Sequence, residues 1–485
     1  MKKFLEKNSI WVLIFVFGVL YIVWSIKRHL FFETDAIDLG IFDQYIWHYS
    51  RFEAPTSSVK FSTYPGPNIL GDHFSPVLAL LAPFFWIWKD PLVLLIAQAV
   101  AVVIGAYPIY KLAKLKLNNQ MFSLAVSFAY LGFVGVQTLL DYDFHEVAFG
   151  LPLLAFALLF LHLKKYTWYF FLIIFSLFIK EDMPLFVASL GLYAIIRLRE
   201  FKVGISTVGI GAISYYLITY LIIPYFKKEP FAYEHLDPAL GKTGFDLIIK
   251  TFTDPILVIK SAFYDAQFVK LRTTLNLLAS FSFLPLLSPE TLILTAPNVA
   301  ERFITYLPQR WIIRFQYSAI LSPIFAVASI HAVENFFWIT KKLNIKETAR
   351  KNLLYLLSFA LVISTIYITF RNNAPFTRIL NPASYCCLSN FSKDYEILKL
   401  IPKDASVMAQ SSLVPHLSHR DKIFRYDDSI FTRGIFPEYI IMDVNLHSDP
   451  PYLRSDLQKR IEDLRKHSNY EELYWDNERL LLKLK

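Results

Sequence analysis

Long apolar runs, separated by short basic or acidic clusters, make up most of the chain. The first, Ile10 to Ile26, follows Met1-Lys2-Lys3 and is closed by Lys27-Arg28. It ends in Tyr21-Ile22-Val23-Trp24 instead of small residues around a cleavage site, so it reads as a retained span. Further apolar stretches lie near 91–110, 121–139, 147–163, 166–179, 183–197, 203–223, 272–287, 290–304, 315–337 and 352–370. Several reach the roughly 20 residues that a ~30 Å hydrocarbon core requires, and together they predict about eleven crossings. The run from Phe74 to Trp88 carries Pro76 and Pro83 and is expected to lie along the outer face without crossing.

Basic residues gather in short cytoplasmic loops, and this bias sets the orientation. With the N-terminus inside, those loops carry Lys111, Lys114 and Lys116, then Lys164 and Lys165, then Arg199 and Lys202, then Lys341, Lys342, Lys346, Arg350 and Lys351. The opposite loops carry Glu33, Asp35, Asp38, Asp43 and Asp72, then Asp141, Asp143 and Glu146, then Glu181 and Asp182. The arms 166–179 and 183–197 are short, about 22 Å each at 1.5 Å per residue, so their tip Lys180-Glu181-Asp182 should sit below the outer surface in a wet recess.

Beyond Phe370 the pattern changes. Ala405 to Ala409 and Tyr439 to Met442 read as strands, Leu453 to Lys466 as a helix, and Tyr470 to Trp475 with Glu478 to Leu484 as a terminal hairpin around Asp476-Asn477. The expected architecture is mainly α: a polytopic helical bundle over 1–370 with an acidic first outer loop 27–90, and a small extracytoplasmic α/β domain over 371–485. An odd number of crossings places that domain outside.

Composition sharpens the class. Of 485 residues, 55% are hydrophobic and 18% charged, more apolar than a soluble domain can bury around one core. The net charge of +9 follows from the basic loops and calls for no nucleic acid. Cys386 and Cys387, the two cysteines, supply no disulfide framework or Cys-based zinc site. Asn390-Phe391-Ser392 matches a glycosylation sequon. There is no phosphate-cradling Gly-rich loop, Walker lysine or His-Glu-x-x-His, so cytosolic nucleotide chemistry has no visible site.

On a helix starting near Asp38, Ile41, Tyr45 and His48 share one side while Asp43 and Trp47 fall on another, with Asp38 as its N-cap. Asp38 then reads either as a cap or as a carboxylate that orients or deprotonates a substrate.

The segments Asp38-Leu39-Gly40-Ile41-Phe42-Asp43-Gln44, His73-Phe74-Ser75-Pro76, Asp143-Phe144-His145-Glu146 and Lys180-Glu181-Asp182, with the tail from Ile401-Pro402 to Leu417-Ser418, resemble the DUF2079 family of polytopic membrane proteins. That family is in turn similar in architecture to GT-C-type glycosyltransferases. The resemblance implies sugar transfer from a polyprenyl-phosphate carrier to an extracytoplasmic glycan, lipid or protein acceptor. It also implies a carboxylate in the first outer loop as base or metal-associated residue. The chain departs from the usual Asp-Glu pair there, having Asp38-Leu39.

Such a transfer needs a base for the acceptor's proton and a cation for the departing phosphate. Asp38, Asp43, Asp143 and Glu146 are the base candidates. Lys180, Arg302, Arg310 and Arg314 fall near outer span ends as phosphate contacts or as snorkelling anchors. Gln44, His73, His145, Glu181 and Asp182 complete the expected substrate-facing set. Asp141, Asp143, His145 and Glu146, with His73, offer donors suited to Mg²⁺ or Mn²⁺, and to Zn²⁺, or equally to hydrogen bonding at a helix end. Two rival functions use the same residues: a transporter or lipid flippase with Lys180, Glu181 and Asp182 on its path, and a non-catalytic assembly or binding protein. Spans that are mostly apolar throughout speak against a transport path.

Overall fold

The computed structural model describes residues 2–231, 236–241, 244–265, 267–386, 391–447 and 453–485; Cys387 and Asn390 lie outside them. Helices dominate, as expected. Among the described residues, six are long and apolar enough to cross a membrane: Asn8–Leu30, Leu92–Leu117, Gln120–Asp141, Phe201–Lys227, Gln316–Lys342 and Glu347–Arg371. Shorter apolar helices occupy Pro76–Trp86, Val147–His162, Tyr166–Ser176 and Met183–Ile196.

Two stretches expected as spans break up and contribute no long apolar helix. Region 272–287 divides into Val269–Ala279 and a 3₁₀ turn Leu284–Leu287, and region 290–304 into Leu292–Thr295 and Ala296–Phe303. Pro285 and Pro297 open new segments at N-terminal helical positions. A ring nitrogen without a hydrogen cannot continue the ladder from the preceding turn. The count of eleven crossings is therefore not confirmed.

The chain forms two compact units. One comprises Met1–Ile22, Gln98–Tyr142 and Glu146–Leu380; the other comprises Val23–Ala97, Asp143–His145 and Asn381–Lys485. The division differs from the expected one at 370, because the loop expected to belong with the bundle packs with the tail.

In the first unit, glycines let helices Met183–Ile196 and Phe201–Leu217 touch. A Cβ on Gly191 would meet Gly204 O at 2.6 Å, and one on Gly211 would meet Pro184 O at 2.6 Å. Small residues at such crossings give lipid-embedded helices their packing energy. Buried polar groups on these helices are mutually satisfied: the Tyr193 hydroxyl lies 3.1 Å from His162 Nε2 and 2.7 Å from His331 Nε2.

The second unit is built on a five-stranded sheet in the order β2-β1-β3-β5-β4. Its strands are β1 (Val407–Ala409), β2 (Ile423–Arg425), β3 (Tyr439–Asp443), β4 (Tyr470–Trp475) and β5 (Arg479–Leu484). β1 runs parallel to β2 and β3, while β5 is antiparallel to β3 and β4. The expected strands, hairpin and helix (Arg454–Arg465) are present; β2 is additional. Leu457, Ile461 and Leu464 of that helix cover the sheet face bearing Met408, Phe424, Ile440 and Leu482. Alternation along the strands sends Val407, Ala409, Ile423, Ile441 and Leu481 to the opposite face, where they pack with Phe32, Ala36 and Val59 of the first loop.

Candidate functional site

In the second unit, the helix Lys2–Leu30 ends in Lys27, Arg28 and His29, and the chain turns sharply, with Glu33 N–H bonded to Arg28 O. A five-residue wide turn, Ala36–Gly40, follows, closed by Gly40 N–H on Asp35 O at 3.1 Å. Inside it Ile37 is extended and Asp38 sits at φ 73°, ψ −90°. A left-handed backbone at a non-glycine residue costs about 1–3 kcal/mol and persists only where its surroundings fix it. Here they do. A Cβ on Gly40 would come within 2.9 Å of Val414 Cγ1, and Ala36 N–H reaches Ser411 Oγ at 3.3 Å. Asp38 is not the N-cap of a helix; the regular helix is Ile41–Ser50.

The strain sets the direction of the Asp38 side chain. Its Oδ2 lies 3.8 Å from Nε2 of buried His145, with the carboxylate about a fifth exposed. Behind it, Asp143 takes Arg28 Nη1–H at 3.0 Å and Asp35 N–H at 2.6 Å. Burial pushes the Asp143 carboxyl up to about 7, with the Arg28 guanidinium opposing and Asp35 adding to the rise. His447, just past β3, brings Nε2 to 3.7 Å from Asp35 Oδ2. One half-open carboxylate, an imidazole beside it and a hydrogen-bonded acid behind it form a group able to accept a proton.

Two other expected residues are used differently. Asp43 is fully buried: it accepts the Ser418 hydroxyl at 2.5 Å and lies 3.0 Å from His419 Nε2. Gln44, also fully buried, accepts from Ser57 Oγ and Ser58 N–H at 2.8 and 2.9 Å and donates to Arg420 O at 2.8 Å. These two side chains clasp the tail segment Ser418 to Arg420 and do not open toward a substrate. His73 is half-buried, its Nε2 3.8 Å from Asp72 Oδ2. Arg28, Asp35, His447 and the Ser418-His419 pair escaped sequence reasoning. Arg28 was read as a topology marker, and the others become neighbours only through contacts spanning hundreds of residues.

The first unit holds a separate charged cluster. Lys180 Nζ is buried and lies 3.7 Å from Glu146 Oε1 and 3.4 Å from Glu301 Oε1. Burial lowers the proton affinity of its ammonium, but Glu301, Asp182, Glu146 and Glu181 outweigh that and hold it charged. Burial raises Asp182, reinforced by Glu301. Lys180 is thus already matched by carboxylates, Glu301 being the partner that the sequence did not flag. Arg302 is no phosphate contact. It is fully buried and spends its donors on the carbonyls of Arg310, Trp311 and Ile312 and on Ser318 Oγ. Arg310 donates to Glu301 O at 3.2 Å, and Arg314 is exposed.

The proposed metal donors do not converge as ligands. Asp141 is bound by Arg378 at 2.5 Å, and Asp143 by Arg28 and a backbone N–H. Among the described residues, ligand-like spacing occurs at His48, Glu53 and Asp421, whose two carboxylates Arg51 already bridges at 2.9 and 3.1 Å.

Over 98% of both chains, the fold is similar to that of ArnT from Cupriavidus metallidurans bound to undecaprenyl phosphate, with a TM-score of 0.54 and 10% identity. At that identity the likeness is one of fold. No curated protein matches the sequence. The family model described as "Predicted membrane protein (DUF2079)" matches residues 28–481, and the chain belongs to that family.

Proposed function

We propose that the protein is a GT-C-type membrane glycosyltransferase that moves a sugar from a polyprenyl-phosphate carrier to an extracytoplasmic acceptor. The observation that carries this reading is Asp38, held in a strained backbone with its half-open carboxylate beside His145. The fold likeness to a protein bound to undecaprenyl phosphate supports a carrier lipid as donor.

In the reaction, the acceptor oxygen or nitrogen bonds to the sugar's anomeric carbon as the bond to the carrier phosphate breaks. The electron pair leaves on the phosphate, and the acceptor's proton goes to an Asp38 oxygen. His145 orients that carboxylate, and Asp143 with Arg28 fixes the loop that presents it. Asp43 and Gln44 act as positioning residues through the tail. Of the basic candidates, Lys180 and Arg302 are engaged by the protein itself and are not assigned to the phosphate. No metal enters this scheme, since the donors do not converge as ligands. The bundle lies in the cell membrane with its N-terminus cytoplasmic and its α/β domain outside, as the loop charges direct.

The test is transfer of a labelled sugar from the carrier lipid to envelope acceptors by Asp38→Asn. Loss of a general base lowers the rate by about 10²–10⁴-fold. Full activity in the variant removes Asp38 from the mechanism. No transfer by the native chain with any polyprenyl-phosphate sugar overturns the enzymatic reading.

A further inference from the structure

Within the first unit, a groove of about 490 Å³ runs between helices Val269–Ala279 and Glu347–Arg371. Beyond Ala279, hydrogen bonds tie the chain to the second helix: Thr365 Oγ1 donates to Ser280 O at 2.9 Å, and Ser282 Oγ meets Ser364 Oγ at 2.8 Å. Its walls are mainly apolar, with Leu271, Leu275 and Phe283 each more than two-fifths exposed along it. Arg272 and Arg371 line the same groove. Arg371 is the last residue of a helix long and apolar enough to cross a membrane. From Arg272 to Ala279 the wall extends roughly 10 Å at 1.5 Å per residue.

The two guanidiniums stand out by their partners. Other arginines of this unit are engaged by the protein: Arg378 by Asp141, Arg197 by Glu334 and Glu290, and Arg302 by backbone carbonyls. Among the described residues no carboxylate pairs with Arg272 or Arg371, and the Arg371 side chain donates to the Tyr367 hydroxyl at 3.2 Å. Lys270, two residues before Arg272, donates to Ser261 O and lies over the Trp311 ring. Two planar cations without a carboxylate partner, lining one groove, match a phosphate, which such forks bind with paired hydrogen bonds. The apolar wall beside them matches a hydrocarbon tail. A free phosphate would use the cations and leave the wall bare.

The geometry assigns this groove to a membrane lipid with an anionic phosphate headgroup. The headgroup lies between Arg272 and Arg371, and a chain runs along Leu271, Leu275 and Phe283. The assignment is independent of sugar transfer.

The full-length protein, purified in a neutral detergent, is titrated with phosphatidylglycerol, phosphatidylcholine or inorganic phosphate, and bound lipid is counted by native mass spectrometry. Phosphatidylglycerol should be retained at least about tenfold more tightly than phosphatidylcholine, because the choline ammonium cancels the net negative charge that draws the two guanidiniums, each worth about 1 kcal/mol toward an anionic headgroup. Inorganic phosphate at equal concentration should not displace it. The double substitution Arg272→Gln with Arg371→Gln should remove the preference, while Arg272→Lys with Arg371→Lys should keep most of it. Leu275→Trp, which fills the wall, should weaken retention with both arginines in place.

Equal retention of the two lipids by the native protein overturns the assignment and leaves the arginines as snorkelling anchors. So does an unchanged preference in the Gln pair, or displacement by phosphate as effective as by lipid. Should the Gln pair fail to fold, the native selectivity and the Leu275 variant decide alone.

Discussion

Asp38 carries a conflict between its backbone and its side chain. At φ 73° a glycine would sit without strain, so an aspartate there is held by the bonds around Asp35, Ala36 and Gly40. Replacing it with glycine should leave the thermal midpoint at or above that of the native protein, whereas Asp38→Ala should lower it, by about 1 kcal/mol between the two. Both should lose transfer, which separates the carboxylate's chemistry from its cost. Asp143 sets a pH dependence. Its folded-state carboxyl titrates near 7 because it is buried, while in the unfolded chain it titrates near 4. Between those values the unfolded chain has released its proton and the folded one keeps it, so stability is greatest in acid and falls as pH rises toward 7. Thermal midpoints measured from pH 4 to pH 8 should show that slope, and Asp143→Asn should flatten it. The acidic residues themselves were legible from their place between apolar runs. The strain at Asp38 and the reach of Arg28 to Asp143 were not, since a dihedral angle and a contact across 115 positions leave no local pattern.

Among elements, the first outer loop and the tail are held together by groups that the pattern of the chain could not pair. The sequence offers Asp43 as a base and Gln44 as a substrate-facing group, yet both are wholly buried against Ser418 and Arg420. Gln44→Ala removes an amide that satisfies Ser57, Ser58 and Arg420 at once, and leaves those groups unpaired in the interior. The expected cost is about 2–4 kcal/mol, read as a lower midpoint and as faster proteolysis of the segment 410–425. The strands β1, β3, β4 and β5 were visible because alternation or turn residues marked them. β2, three residues between Lys422 and Tyr426, is too short to show a period and forms because β1 offers it an edge. Regions 272–287 and 290–304 misled for the opposite reason. Their apolar content suits a span, but proline at the segment starts breaks the helix.

At the scale of the molecule, orientation in the membrane is the property most open to direct test. The basic loops predict a cytoplasmic N-terminus and an external tail. Cys386 is exposed, so in the Cys387→Ser background it offers a single reporter. An impermeant maleimide added to intact cells should label it without permeabilisation; labelling that requires permeabilisation would invert the topology. The division into two units was not legible, because it depends on residues 23–97 packing with a tail some three hundred positions away.

That last packing has a consequence for biosynthesis. Phe32, Ala36 and Val59 leave the ribosome early, but the sheet face that covers them is completed only when Leu481 has been made. At roughly 5–20 residues per second, the early segment waits on the order of half a minute for its partner, uncovered and open to chaperones and proteases. A nascent chain halted before the last strand would therefore keep a finished set of spans and an unfinished first loop. Quality control of this protein is in effect a check on its final residues.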